Sequence, residues 1–207
     1  MRYVPTGTVY GTLLNFRGEL EALGPKMSQA PYKAPPKAPV LYIKPANTWS
    51  ADGADIAVPA RVSEVEIGAT IGMVMKAPGE PGGYVLMNDL SIPHASFFRP
   101  PVRFKCLDGF LGVGSRLVNL EEAGDPAQFR LEVRIDGTLK QTVAFRNLAR
   151  DARRLLQDVS EFMTLGAGDV LMLGCDLGRP LAKAGDRIEI RAAGFGTLTS
   201  TLVTQAP

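Results

Sequence analysis

The chain is poor in the residues that most often carry chemistry on their own. Among its 207 residues there is one histidine, His94, one tryptophan and two cysteines. With His94 as the sole imidazole, a Ser-His-Asp or Cys-His arrangement has no second residue to draw on, and no GxSxG elbow, phosphate loop, GxGxxG after a strand or HExxH occurs. Classical nucleophilic hydrolysis is thereby disfavoured. Cys106 and Cys175 lie far apart with no Cys or His two to five residues from either, a spacing that suits neither a disulfide framework nor a zinc site. Both are expected to be buried free thiols. An excess of one charge is missing too, since 23 Lys and Arg face 21 Asp and Glu. That balance lacks the positive field on which nucleic-acid binding depends. No run of about eighteen apolar residues occurs, and the opening MRYVPTGTVYGTLL lacks a charged segment followed by an apolar run and cleavage site. A soluble cytoplasmic protein with neither membrane nor nucleic-acid partner is the expectation.

What is present reads mainly as β structure. The length suits one main domain, 1–207, with residues 1–48 taken as an N-terminal extended segment packing on a 49–207 β core. Residues 8–16 and 40–45 read as strands, and RGELEAL between them as one or two helical turns ended by Gly24-Pro25. SQAPYKAPPKAP, residues 28–39, is too rich in proline for helix or central strand and is expected as an extended surface segment. Asn47 to Asp55 reads as turn and loop. Strands follow in IAVP and VSEVEIGATIGMVM, where Gly68 and Gly72 mark close approach of backbone or ligand. LEVRIDGTLKQTVAF carries a hairpin signal at Asp136-Gly137, and two Gly-Asp turns each open a strand in LGAGDVLMLG and LAKAGDRIEIRA before the closing GFGTLTSTLV. One helix is expected between Asn147 and Thr164, with Leu148, Leu155, Leu156, Val159 and Phe162 on one face and Arg146, Arg150, Arg153 and Arg154 on the opposite, solvated one. Nothing alternates as βαβ. The fold class is therefore mostly β with one main helix, α+β, of sandwich or roll type.

Polar residues able to do chemistry crowd between Gly83 and Phe110, which holds Asn88, Asp89, His94, Lys105, Cys106 and Asp108. At the end of YVLMND a rigid strand can aim the Asp89 carboxylate into a cleft, and Lys105 can hold a substrate carboxylate or stabilise a developing enolate. The plainer alternatives are a loop cap for Asp89, a solvated lysine at 105 and a hydrogen-bonded structural role for His94.

The order of motifs adds to this. Asn15-Phe16-Arg17, YIKP at 42–45, GYVLMND at 83–89, KCLDGF at 105–110, SEFMTLGAGDVLMLG at 160–174 and the closing LAKAGDRIEI together resemble the fumarylacetoacetate hydrolase family over nearly the whole chain. Within the family, APYKAPPKAP, IKPANT and NDLSIPHASFFRP look most like the N-terminal half of the two-half isomerase/decarboxylases of aromatic (4-hydroxyphenylacetate or homoprotocatechuate) catabolism. The resemblance implies a mixed β roll and a Mg²⁺ or Mn²⁺ ion held by a Glu-x-Glu pair plus Asp89, since hard cations want several oxygen ligands. It also implies Lys105 and Asp89 as catalytic residues, and Asn88, Lys44 and Thr70 as substrate-binding ones. The implied substrates are small 2-oxo or 2-hydroxy di- and tricarboxylic acids: 5-oxopent-3-ene-1,2,5-tricarboxylate to be decarboxylated and 2-hydroxyhepta-2,4-diene-1,7-dioate to be isomerised. The implied assembly is a homodimer or a hetero-oligomer with a homologous subunit.

The chain also departs from the family pattern. Glu64-Val65-Glu66 has the right spelling, but the family register falls on Val65 to Ile71 and puts Gly68 and Thr70 where the glutamates stand. Pro93 and His94 replace an arginine and an aspartate, Glu19 replaces a histidine, and Gly174 to Gly178 replaces GTPEG. Two alternatives follow: a catalytically silent structural partner of a metal-bearing homologue, or an acylpyruvate-type C–C hydrolase.

Overall fold

A computed structural model describes residues 2–94, 96, 98 and 101–205. β-Branched and aromatic runs, punctuated by glycine and proline, form two main sheets. The larger has seven strands in the order Val40–Lys44, Val9–Leu13, Val170–Met172, Ala69–Ala77, Glu80–Asp89, Leu111–Asn119 and Trp49–Ala51. Two pairings in it are parallel, Val9–Leu13 with Val170–Met172 and Trp49–Ala51 with Leu111–Asn119, and the rest are antiparallel. The second sheet runs Thr138–Ala144, Arg130–Ile135, Arg187–Ala192, Gly196–Thr204 and Ala54–Val58, and a short ribbon pairs Val65–Glu66 with Leu181–Ala182. The result is a mostly β fold with mixed sheets, the class its sequence suggests.

Strand Glu80–Asp89 lies inside the large sheet and from Gly83 on is buried on both faces, so alternation decides what each side chain meets. Tyr84 and Leu86 enter the large core shared with Leu131, Val133, Ile190 and Leu198 of the second sheet and with Leu155 and Val159 of a helix. Val85 and Met87 turn the other way, into a smaller core with Val9, Leu13, Tyr42 and Leu111. Asp89 continues the Val85 and Met87 series. The site described below therefore sits on the face of the large sheet that looks away from the second sheet.

Several expectations need correction. Residues 1–48 are not an extended segment laid on a core, because they supply two strands of the seven-stranded sheet and a helix, Arg17–Met27. That helix runs on through Pro25: a proline forfeits one backbone bond, and burial of Met27 holds the last turn in place. Residues 47–55 are not all loop, since Trp49–Ala51 pairs with Leu111–Val113 at the edge of the large sheet. The expected helix over 147–164 is confined to Ala152–Ser160, capped by the Asp151 side chain accepting from the Arg154 N–H. Two arginines of its polar side are not simply solvated, as Arg150 and Arg154 both pair with Asp158, at 2.8 and 2.6 Å. Among the described residues no helix is long and apolar enough to cross a membrane.

Leu155 is fully buried where the helix meets the large core. Leu155→Ala is expected to cost about 3 kcal/mol, from lost burial plus the cavity left behind. At this chain length that lowers the melting temperature by roughly 6–12 °C. Thermal denaturation followed by circular dichroism measures it, and a drop below about 2 °C contradicts the assigned packing.

Candidate active site

Asp89 ends its strand at 1 % exposure, and two buried lysines converge on it. Lys44 Nζ lies 2.8 Å from Oδ1 and Lys105 Nζ 2.6 Å from Oδ2. The Tyr42 hydroxyl also donates to Oδ2. Tyr42 and Lys44 are two apart on one strand, which sends both side chains to the same face. Lys105 closes the short helical turn Val102–Lys105.

The two lysines differ in what they have left to give. Lys44 donates to the carbonyls of Leu90 at 2.9 Å, Phe110 at 2.7 Å and Lys105, which accounts for its three protons. Oδ1 of Asp89 consequently lies beside the Lys44 charge without receiving a hydrogen bond. Lys105 donates to Asp89 alone among the described residues, with its ammonium 4.9 Å over the Tyr42 ring. Lys44 is a structural counter-ion, whereas Lys105 has N–H bonds left without an acceptor among the described residues.

Electrostatics follow from this packing. Burial alone would raise the Asp89 carboxyl, but Lys105 and Lys44 outweigh it and hold the group well below the usual carboxylate range. Burial lowers Lys44 to about 8, with Asp89 opposing the shift. Tyr42 is pushed well above its ordinary value by burial and by the Asp89 charge. Cys175, whose Sγ lies 3.9 Å from Asp89 Oδ2, is raised to about 12 for the same two reasons.

A second charged group adjoins the first. Arg179 donates through Nη2 to Glu19 and lies 3.4 Å through Nη1 from Glu66. Glu19, on the helix Arg17–Met27, also accepts the Leu14 N–H at 3.0 Å. Leu14 has φ +59°, a left-handed conformation costly for a leucine. The neighbouring Asn15 holds it there, donating to the carbonyls of Leu173 and Arg150 at 2.8 and 3.0 Å and accepting the Arg150 N–H. Lys44, Lys105 and Arg179 thus face Asp89, Glu19 and Glu66 in one charge-balanced group. A cavity of about 550 Å³ lies beside Tyr42, with Leu13, Ile43, Pro101, Val102 and Cys106 on its walls, and none of the charged residues lines it.

Of the residues expected at the site, Asp89, Lys105 and Lys44 come together. Asn88 does not join them: it takes the opposite face, packs beside Gly112, and buries its Oδ1 without a partner. Thr70 shares the Asp89 face, but its hydroxyl is committed to the Gly174 carbonyl at 2.6 Å. His94 has the structural role expected, stacked 4.7 Å from Phe104 with Nδ1 3.0 Å from the Ile92 carbonyl. Cys106 is free but only half-buried, its thiol directed at the Ile43 carbonyl, which corrects the expectation of two buried thiols. Tyr42, Glu19, Arg179 and Cys175 were missed as site residues. Tyr42 could have been read from its place two before Lys44, while Arg179 lies in a loop that carries no periodic signal.

The donors present do not fit a resident Mg²⁺ or Mn²⁺. Asp89 has both oxygens against ammonium groups, and among the described residues no three His, Cys, Asp or Glu side chains gather as metal ligands. At Gly68, where a ligand glutamate is expected, a Cβ would lie 2.3 Å from the Asp89 carbonyl and 3.0 Å from Cys175 Sγ. The backbone leaves no room there for any side chain.

Residues 8–203 match the model of the fumarylacetoacetate (FAA) hydrolase C-terminal domain. The chain belongs to the fumarylacetoacetate hydrolase family. It is 34% identical, over 96% of its length, to the 4-hydroxyphenylacetate degradation bifunctional isomerase/decarboxylase of Escherichia coli, and 35% identical to that of Salmonella dublin. In both comparisons it covers 48% of the relative, so the chain spans about half the length of these curated relatives. Two solved family members share its fold. A 5-carboxymethyl-2-hydroxymuconate delta-isomerase from Mycobacterium smegmatis superposes with a TM-score of 0.79 at 24% identity, covering 97% of this chain and 80% of that one. A fumarylpyruvate hydrolase from Pseudomonas aeruginosa, solved in complex with Mn²⁺ and pyruvate, gives 0.82 at 19% identity, with 97% and 91% covered.

Asp89→Asn leaves two buried ammonium groups with no counter-charge and is expected to cost about 3–5 kcal/mol. The sign with pH follows from the depressed carboxyl. Its contribution is complete above the unfolded value of 3.8 and is lost as pH falls through the lower folded value. Urea denaturation of both proteins should show the wild-type advantage intact at neutral pH and shrinking below about pH 4. A gap constant down to acid pH refutes the ion-pair account.

Proposed function

We propose that the chain is an isomerase/decarboxylase unit of aromatic catabolism acting in the cytoplasm. It decarboxylates 5-oxopent-3-ene-1,2,5-tricarboxylate and isomerises the resulting 2-hydroxyhepta-2,4-diene-1,7-dioate. The observation that carries this reading is Lys105, a buried ammonium with uncommitted N–H bonds, fixed by Asp89. The named activities of the Escherichia coli and Salmonella relatives support the choice of substrates.

Both reactions pass through one kind of intermediate. Loss of carbon dioxide leaves an electron pair that delocalises onto the 2-oxo oxygen, and moving the double bond requires the same dienolate. Lys105 directs N–H bonds at that oxygen where charge develops, and a preformed donor in a water-poor site is worth more than in solution. Asp89, held ionised by two cations, is too weak a base to take a proton from carbon and acts by positioning Lys105.

A second reading, a catalytically silent partner of a metal-bearing homologous subunit, is favoured by the half-length match and by the crowding at Gly68. Turnover of 2-hydroxyhepta-2,4-diene-1,7-dioate by the purified chain in EDTA separates the two. Under the first reading the chain is active alone, and Lys105→Met lowers kcat by about 10²–10³-fold. Activity that appears only when a metal-bearing homologue is added establishes the second.

A further inference from the structure

A second cavity, of about 620 Å³, takes no part in the chemistry described so far. Met73 and Tyr84, paired across neighbouring strands of the large sheet, are among its most buried lining residues. Both side chains turn toward the large core, whereas Asp89, further along the strand that carries Tyr84, turns the other way. The cavity is therefore on the opposite face of the sheet from Asp89 and its lysines. Pro81, Leu120, Pro126 and Leu156 give it apolar walls, and its volume is in the range of small-molecule sites.

Tyr84 is the polar group at its inner end. The residue is 6 % exposed, and its ring is held edge-on against Phe129 with centroids 5.3 Å apart. A phenylalanine would make that contact equally well. The hydroxyl adds nothing to it and has no hydrogen-bond partner among the described residues, although it belongs to a side chain lining the cavity. Burial, with the Asp125 charge beside it, raises the phenol to about 12, so at neutral pH it remains a hydroxyl with lone pairs to offer a donor.

Three charged side chains line the same cavity, Asp125, Asp151 and Arg153. Oδ1 of Asp125 accepts the Ala127 N–H at 2.9 Å and Oδ1 of Asp151 accepts the Arg154 N–H at 2.8 Å. In each carboxylate Oδ2 has no hydrogen bond among the described residues, and none of the three charges is in an ion pair there. Two carboxylates against one guanidinium leave the rim negative. The Asp151 cap also occupies the place an anion would seek at the N-terminus of Ala152–Ser160.

We propose that this cavity binds an organic ammonium ion, a primary amine on an apolar body. Its N–H bonds go to the Tyr84 hydroxyl and the Asp125 carboxylate, Asp151 adds to the negative field at the rim, and the body lies against Met73, Leu120 and Leu156. An ammonium has three donors and no acceptor, so a hydroxyl lone pair beside a carboxylate suits it and repels an acid. The proposal uses none of Asp89, Lys44 and Lys105 and stands apart from the dienolate reading.

Isothermal titration calorimetry of the purified chain with 2-phenylethylamine, 2-phenylethanol and 3-phenylpropionate at neutral pH tests it. Saturable binding of the amine is expected, tighter than that of the alcohol or the acid. Tyr84→Phe keeps the ring and Asp125→Asn keeps a capping oxygen, so both preserve the packing, and each should weaken the amine by about 3–10-fold. The double variant Asp125→Asn/Asp151→Asn leaves Arg153 as the charged lining residue and should remove the preference over 3-phenylpropionate. NMR shift changes on adding the amine are expected at Met73, Tyr84 and Leu156. No binding of the amine, equal binding of all three compounds, an affinity unchanged in both single variants, or shift changes confined to residues around Asp89 overturns the proposal.

Discussion

Lys44 is buried without access to water, and its charge is tolerated because three backbone carbonyls and the Asp89 carboxylate surround it. The carbonyls belong to Leu90, Lys105 and Phe110, so one ammonium ties the end of strand Glu80–Asp89 to the turn that carries Lys105 and to the start of the next strand. Removing either member of such a buried pair leaves a charge that nothing neutralises. Lys105 takes its position from the same carboxylate, as does Tyr42. The cluster is a cross-brace of the fold and the frame of the site at once.

This arrangement uses a different source of positive charge from the one its family membership leads one to expect. A divalent cation requires several oxygen donors arranged around it. Here strand Ala69–Ala77 is preceded by a glycine pressed against the Asp89 carbonyl, and it offers a threonine already bonded to Gly174. Two lysines stand against Asp89 in place of an ion. An ammonium fixed by a carboxylate offers a single positive charge and N–H donors, and demands fewer ligands than a metal.

How much could be read from the sequence varies with the range of the interaction. Asp89 was legible because it stands at a strand end with a local reason for its direction; Lys44 was named only through the family resemblance, and its ammonium is spent on backbone carbonyls instead of being left for a substrate. Asn88 was misplaced although it is next to Asp89, since adjacent residues of a strand face opposite ways and the composition does not say which face holds the site. The helix past Pro25 was missed for a related reason: Met27 finds a hydrophobic partner only after the chain has folded. Arg179 and Glu19 are 160 residues apart and meet through a loop without periodicity, so no local signal joins them.

By itself the sequence determined the mostly β class, the alternating strands and the presence of a carboxylate and lysines suited to acid substrates, because these rest on local pattern and residue chemistry. Tertiary structure alone decided which of them share a face, that Lys44 is spent on carbonyls while Lys105 is not, and that Gly68 has no room for a ligand. Each of those outcomes depends on how far apart strands and turns distant in the chain finally lie. A separation of that kind is set by packing, and no single segment contains it.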